Sequence, residues 1–149
     1  KVARAYTLTP EEGQDLAQEI LLQAWRSLTA FERRSNAATW FYRVALNTAM
    51  NWRRNDSPRR SRQQPLLEVH LETAGTNSAE QVQQRETVEE LYKAIHQLPK
   101  GDAALVLLYL DDLSYREMAD VLGISESNVG VKLNRAKKAL RDLMKGDSA

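Results

Sequence analysis

Three candidate helix starts in this chain carry the same short pattern, a hydroxyl residue and then, three positions on, glutamate or glutamine. They are Thr9-Pro10-Glu11-Glu12, Ser78-Ala79-Glu80-Gln81 and Ser114-Tyr115-Arg116-Glu117. In such a capping box the hydroxyl accepts from the third helical N–H, and the acid or amide reaches back to the N–H of the cap itself. Each pattern therefore marks a helix start, and Pro10 at the first helical position reinforces the first of them. The residues after each start repeat with helical period. Leu16, Ile20, Leu21, Ala24, Trp25 and Leu28 trace one apolar stripe, predicting a helix from Thr9 to Leu28 with that stripe buried. After Ser78 come Val82, Val88, Leu91, Tyr92, Ile95 and Leu98; after Ser114 come Met118, Ala119, Val121 and Leu122. The run Ala103 to Leu110 is almost wholly apolar and reads as a buried central helix. No alternating apolar pattern competes with these elements, so the fold class is all-α.

Two further helices are expected. One spans about Ala37 to Arg54, with Trp40, Phe41, Val44, Ala45, Thr48, Ala49 and Trp52 on one side and Arg43, Asn47, Asn51, Arg53 and Arg54 on the other. Asp56-Ser57-Pro58 ends it, because proline disfavours helix in the residue before it. The other runs from about Glu126 to Lys145, with Val129, Leu133, Ala136, Leu140 and Leu143 inward. Between them, residues 56–77 are rich in Pro, Arg, Ser, Thr, Gln and Asn, too long for a structureless loop inside one compact domain. They are expected to form a flexible linker between two small helical domains, residues 1–55 and 78–149.

The 149-residue chain has a formal net charge of +1, but its charges are segregated. From 43 to 62 six arginines face only Asp56, a net +5; from 65 to 126 twelve acids outnumber four bases, a net −8; from 127 to 145 six bases face only Asp142, again +5. Two basic blocks separated by an acidic one suit two contacts with a polyanion. With no cysteine and only His70 and His96, thiolate chemistry, zinc fingers and a histidine-rich metal site are excluded. No apolar run is long enough for a membrane span. The pair Asp111-Asp112 has no third ligand nearby, and no phosphate loop or nucleophile motif appears, so an enzyme is disfavoured and no cofactor is implied.

The most specific local signal lies between Ser114 and Arg135. A capped helix of about eight residues, the turn Gly123-Ile124-Ser125 and a second helix have the layout of a helix-turn-helix. Ala119 is small where the helices cross, and Gly123 suits a left-handed turn. In such a unit the second helix enters the major groove. Its exposed residues are Glu126, Ser127, Asn128, Gly130, Val131, Lys132, Asn134 and Arg135, and the basic run that continues through Lys138 to Arg141 falls where phosphates lie. Asn134 and Arg135 are base-reading candidates; the alternative for Arg135 is to brace the helix through Asp111, Asp112 or Glu117. The second basic constellation suits melted DNA: the loop Arg33, Arg34, Ser35 and Asn36, with Arg43, Asn47, Asn51 and Arg54 on the next helix. There the tryptophans are assigned to the core. On the first helix Asp15, Gln18, Glu19 and Leu22 lie off the stripe and form a candidate protein interface, with Leu22 expected to be exposed.

These residues also carry a family resemblance. Asp15-Leu16-Ala17-Gln18-Glu19-Ile20 with Ala24-Trp25 resembles region 2 of bacterial sigma factors, and Thr39-Trp40-Phe41-Tyr42-Arg43-Val44-Ala45-Leu46-Asn47 resembles the helix that reads the −10 element. Leu113 to Ala119, Leu122 to Val129 and Asn134-Arg135-Ala136 resemble region 4, the −35 reader. Two regions joined by a short linker indicate the extracytoplasmic-function (ECF) group. The resemblance implies a promoter-specificity subunit of bacterial RNA polymerase that is not itself an enzyme. Asp15, Gln18, Glu19 and Leu22 would contact the β′ clamp helices, and the first domain would capture flipped-out −10 bases. The second would dock −35 duplex while packing on the β flap, and the linker would thread toward the RNA exit path. An anti-sigma factor is an implied partner, the location is cytoplasmic, and no membrane contact is implied. Lys1 to Thr7 has the look of a helix end whose start lies outside this sequence, which lacks an initiator methionine. Gly130 and Val131 depart from the family pattern, which usually places hydrogen-bonding residues there; Val131 suits a thymine methyl and Gly130 a close backbone approach. The rival reading is a stand-alone helix-turn-helix regulator needing no polymerase.

Overall fold

A computed structural model describes residues 1–28, 36–52 and 78–147 of the chain. Among them are seven α-helices and no strand: α1 (Val2–Ala5), α2 (Pro10–Ser27), α3 (Ala37–Met50), α4 (Ala79–Gln97), α5 (Lys100–Leu110), α6 (Tyr115–Leu122) and α7 (Glu126–Asp147). The segment 56–77, expected to be a linker, lies outside the described residues.

The caps act as the sequence chemistry requires. Ser78 and Ser114 close reciprocal boxes with Gln81 and Glu117 at 2.9–3.3 Å. At α2 the box slips by one residue: Thr9 Oγ1 accepts from the Glu12 N–H at 3.2 Å, but the Glu12 carboxylate accepts from Leu8 rather than from Thr9. Helix α5 ends in a Schellman arrangement, with Leu113 N–H donating to the Leu108 carbonyl and Asp112 N–H to that of Tyr109. Asp112 takes the left-handed conformation there (φ 62°), which Asp tolerates better than most residues.

Helix α5 is the centre of the molecule. Ala103 to Leu108 are six consecutive buried residues, so the helix needs cover on every side. Helices α4, α6 and α7 supply most of it through Ile95, Leu98, Met118, Val121, Val129, Leu133 and Ala136. Ala5 and Leu46, from the first 52 residues, join the same core. A smaller cluster of Leu16, Ile20, Ala45 and Ala49 holds α2 to α3.

Several expectations are corrected. On α2 only Leu16, Ile20 and Ala24 are buried; Leu21, Trp25 and Leu28 are exposed, Trp25 by 75%. The apolar residues form two adjacent ridges, not one stripe, and the short α1 and α3 cover only one. Leu22, expected to be exposed, is half-buried. On α3, Phe41 is exposed and Trp40 and Trp52 are half-buried, while Leu46, placed on neither side from the sequence, is a core residue. Helix α3 stops at Met50, short of Arg54. Val82 and Val88 are exposed because residues 80–90 of α4 stand clear of the core, which begins at Leu91. At the end of α5, Tyr109 and Leu110 are exposed.

Leu46→Ala tests whether the two halves share a core. Truncating a fully buried leucine costs about 2–5 kcal/mol. Chemical denaturation monitored by helical circular dichroism is expected to show that loss, together with faster hydrogen exchange in α5 as well as in α3. Acceleration confined to α3 would mean the shared core is not cooperative.

Candidate nucleic-acid interface

The geometry of α6 and α7 rests on three backbone devices. The box at Ser114 starts α6, and its hydrogen bonds hold the Glu117 carboxyl below the usual carboxylate range. Gly123 adopts φ 69°, a left-handed turn that costs a β-carbon-bearing residue about 1–2 kcal/mol. There the N–H groups of Gly123 and Ile124 both donate to the Ala119 carbonyl, at 2.8 and 3.2 Å. Ser125 then caps α7, its Oγ accepting from the Asn128 N–H at 3.2 Å. Met118, Ala119 and Val121 share the core with Val129, Leu133 and Ala136, so the second helix is fixed by its inner face.

The outer face of α7 is what this arrangement presents. Ser127, Asn128, Val131, Asn134, Arg135 and Lys138 lie on it, Val131 exposed by 67%, while Gly130 and Lys132 are placed at its edges. Ser127, Val131, Asn134 and Lys138 form one row at helical spacing. Asp111 is engaged by Lys1 and Tyr42, and Glu117 by the Ser114 N–H; among the described residues no contact ties Arg135 to Asp111, Asp112 or Glu117. Lys137 sits 3.9 Å over the Tyr109 ring, a cation–π contact that draws it away from the outer face.

The second constellation is brought together only in part. Arg33, Arg34, Ser35 and Arg54 lie outside the described residues. Asn36 caps α3, its Oδ1 accepting from the Ala38 N–H at 2.7 Å. Arg43, Asn47 and Asn51 share one exposed face of α3. Arg43 is already engaged: its Nε donates to the Asp120 carbonyl at 2.9 Å and its Nη2 reaches the same oxygen. Asp120 belongs to α6, so Arg43 is tied to the helix-turn-helix while Asn47 and Asn51 on the same face stay exposed.

Further bonds join the same two halves. Tyr42 donates to Asp111 Oδ2 at 2.7 Å, and Lys1 Nζ pairs with the other oxygen of that carboxylate. Tyr6 donates to the Lys100 carbonyl at 2.8 Å, and Lys100 Nζ donates to the Met50 carbonyl at 2.7 Å, a cation at the C-terminus of α3. Arg4 lies 4.4 Å from the Tyr92 ring. Burial and the Asp111 carboxylate together push the Tyr42 hydroxyl up to about 12. Burial also pulls the Asp111 carboxyl upward, but the hydrogen bonds from Lys1 and Tyr42 outweigh it and hold the group below its ordinary value.

On the expected protein interface, Asp15, Gln18, Glu19 and Leu22 are half-buried, and Glu19 accepts from Gln23 Nε2 at 3.0 Å. The residues missed there are Leu21, Trp25 and Leu28, whose exposed ridge runs beside them. The signal that could have found them is the width of the apolar arc, too broad for one contact with a short partner helix. Among the described residues no cluster of His, Asp and Glu could hold a metal ion, and no helix is long and apolar enough to cross a membrane.

A capped first helix, a left-handed glycine turn and a second helix with a polar and basic outer face define a helix-turn-helix DNA-binding protein. Comparison with known proteins narrows this. Residues 1–59 match sigma-70 region 2 and residues 88–140 match sigma-70 region 4. The chain is 30% identical over 138 residues to the RNA polymerase sigma factor YlaC of Bacillus subtilis (strain 168), spanning 90% of this chain and 78% of that one. It is 32% identical over 142 residues to the RNA polymerase sigma-H factor of Pseudomonas aeruginosa, spanning 87% and 72%. Among solved structures, CnrH in complex with the cytosolic domain of CnrY matches with a TM-score of 0.65 at 20% identity, over 98% of this chain and 79% of that one. The sigma factor RpoE in complex with the anti-sigma factor NepR from Bartonella quintana matches with a TM-score of 0.62 at 20% identity, over 97% and 88%. The chain belongs to the sigma factors, in their ECF group, and is a promoter-recognition subunit of RNA polymerase.

The Tyr42–Asp111 contact has a definite pH sign. A carboxyl whose folded value is depressed contributes stability that is present above its unfolded value and lost as pH falls through the folded one. Acidification below the ordinary value of 3.8 is therefore expected to loosen the contact between α3 and the end of α5. Tyr42→Phe is expected to cost about 1 kcal/mol at neutral pH and to remove part of that acid sensitivity. Hydrogen exchange of α3 between about pH 3 and 7 in both proteins checks it; identical profiles would sink the assignment.

Proposed function

We propose that residues 78–149 dock the −35 duplex and residues 1–55 bind core polymerase and melted −10 DNA, with 56–77 as the linker between them. The observation that carries this reading is the outer face of α7. Its amides, hydroxyl and guanidinium stand on a helix whose opposite face is locked into the core. Asn128, Asn134 and Arg135 suit hydrogen bonding to base edges, and Val131 suits a thymine methyl. Lys138 and Arg141 lie further along and suit phosphates. Catalysis is left to the core enzyme, and the setting is the cytoplasm.

On the other half, Asp15, Gln18 and Glu19 flank the exposed ridge of Leu21, Trp25 and Leu28, an apolar strip rimmed by polar groups. That combination suits the β′ clamp helices, with the β flap as the second polymerase contact. An anti-sigma factor is the expected inhibitor; CnrH is seen in complex with the cytosolic domain of CnrY, and RpoE with the anti-sigma factor NepR. Arg43 and the face it shares with Asn47 and Asn51 would meet melted DNA once α3 and α6 part.

Two measurements test this reading. Arg135→Ala is expected to flatten the preference at one base pair of the −35 element, at about 1–3 kcal/mol, whereas Lys138→Ala weakens all sequences alike and lowers the salt slope by about one. Holoenzyme affinity for a panel of single-base −35 variants at two salt concentrations separates them, and an unchanged preference in Arg135→Ala would refute its base-reading role. For the other half, Trp25→Ala combined with Asp15→Ala is expected to weaken capture of core polymerase at least tenfold, roughly 1.4 kcal/mol. Unaltered capture by the double variant would move the interface elsewhere.

A further inference from the structure

The two hydrophobic clusters do not close on each other completely. Where they meet lies a cavity of about 130 Å³, lined by both halves of the chain. Ala5 of α1, Ala49 of α3 and Ala103 of α5 line it, each at most 2% exposed. Three alanines from three helices leave space that a longer side chain at any of them would take. Ile95 and Leu98 extend the apolar lining, and the half-buried Tyr6 and Trp52 bring two aromatic rings to it. Protein interiors hold few voids larger than a water molecule. A dry apolar cavity of about 150 Å³ is enough to take up benzene. This one therefore suits a single six-membered ring, and it is far below the roughly 300 Å³ at which sites for drug-sized ligands begin.

The polar part of the lining is one-sided. Lys100 and His96 are among the lining residues, and no carboxylate is. Lys100 is exposed and so marks the mouth. Its ammonium can donate three hydrogen bonds; among the described residues it makes one, to the Met50 carbonyl at 2.7 Å. Tyr6 crosses the same seam, its hydroxyl donating to the Lys100 carbonyl at 2.8 Å. An aromatic ring complements the apolar and aromatic walls, and an anionic group beside Lys100 complements the mouth.

We propose that this cavity binds a monocyclic aromatic carboxylate the size of benzoate, its ring inward and its carboxylate on Lys100. Helices α1 and α3 line the site from one half and α4 and α5 from the other, so it is complete only while the halves are packed together. The ligand therefore favours the packed arrangement, by its difference in affinity between packed and parted states and by no more. On the reading of α3 as the face for melted −10 DNA, such a ligand restrains the chain from the promoter. That consequence rests on the proposed function; the binding site itself does not.

The test titrates the full chain with benzoate and with benzyl alcohol, which keeps the ring and lacks the charge, by isothermal titration calorimetry. Benzoate is expected to saturate one site, about tenfold more tightly than benzyl alcohol, as one charge-assisted hydrogen bond allows. In Lys100→Met that preference is expected to disappear. This variant also loses the bond to Met50, so the ratio of the two affinities is the readout. Ala103→Val narrows the cavity from within and is expected to lose both ligands at wild-type helical content. Saturating benzoate is expected to slow hydrogen exchange in α3 and α5 together, and in neither helix of Ala103→Val. No saturable binding, equal affinity for the two ligands, or unchanged binding in Ala103→Val overturns the site. Should Ala103→Val fail to fold, a benzoate preference that survives in Lys100→Met overturns it instead. Bound benzoate with no slowing in α3 overturns the coupling between the halves. Anisotropy of a single-stranded −10 oligonucleotide separates the two readings: a chain that binds benzoate as expected but never prefers the −10 strand supports the site and refutes the role given to α3.

Discussion

Helix α5 sets the terms for the whole molecule. Six consecutive buried residues, Ala103 to Leu108, leave it no polar face, and a helix apolar all round is stable only when wrapped. Helices α4, α6 and α7 cannot close that wrap alone, and Ala5 and Leu46 from the first half complete it. At roughly 25 cal/mol per Å² of apolar surface removed from water, that burial is the dominant attraction between the halves. The hydrogen bonds at Tyr42, Arg43, Tyr6 and Lys100 fix the register at which the halves meet.

This packing bears on how such a protein works. The helix-turn-helix is held firmly because both of its helix starts are capped and its inner residues belong to the α5 core. Its outer face is left to water. On α3, the Arg43 side chain is held to α6 through the Asp120 carbonyl. One candidate nucleic-acid face is thus open to water in this arrangement, and on the other Arg43 is already bonded to protein. The same α3–α6 contact that joins the two halves occupies the Arg43 guanidinium.

The helix starts were legible in the sequence because capping is local chemistry: a hydroxyl and an acid three residues apart decide it without reference to the rest of the chain. The helix-turn-helix was legible for the same reason, since Gly123, Ala119 and Val129 are fixed by contacts within a short stretch of chain. The surface of α2 was not legible. Leu21, Trp25 and Leu28 have the period of a buried stripe, and nothing in their spacing says that the covering helices are too short to reach them. The cavity lined by Ala5, Ala49 and Ala103 was equally invisible, because the three alanines sit on three helices and not along one.

The sequence by itself determined the helices, their caps, the inner face of the recognition helix and the family to which the chain belongs, all of them set by periodicity, short-range hydrogen bonding and local motifs. Only the tertiary structure decided which apolar ridge of α2 is covered, where Arg43 and Asp111 find their partners, and that Leu46 belongs to the core of the other half. Those outcomes turn on distances between segments far apart in the chain, as in the bond from Tyr42 to Asp111. A one-dimensional pattern records which residues want burial or a partner; the finite size of the neighbouring helices decides which of them obtain it.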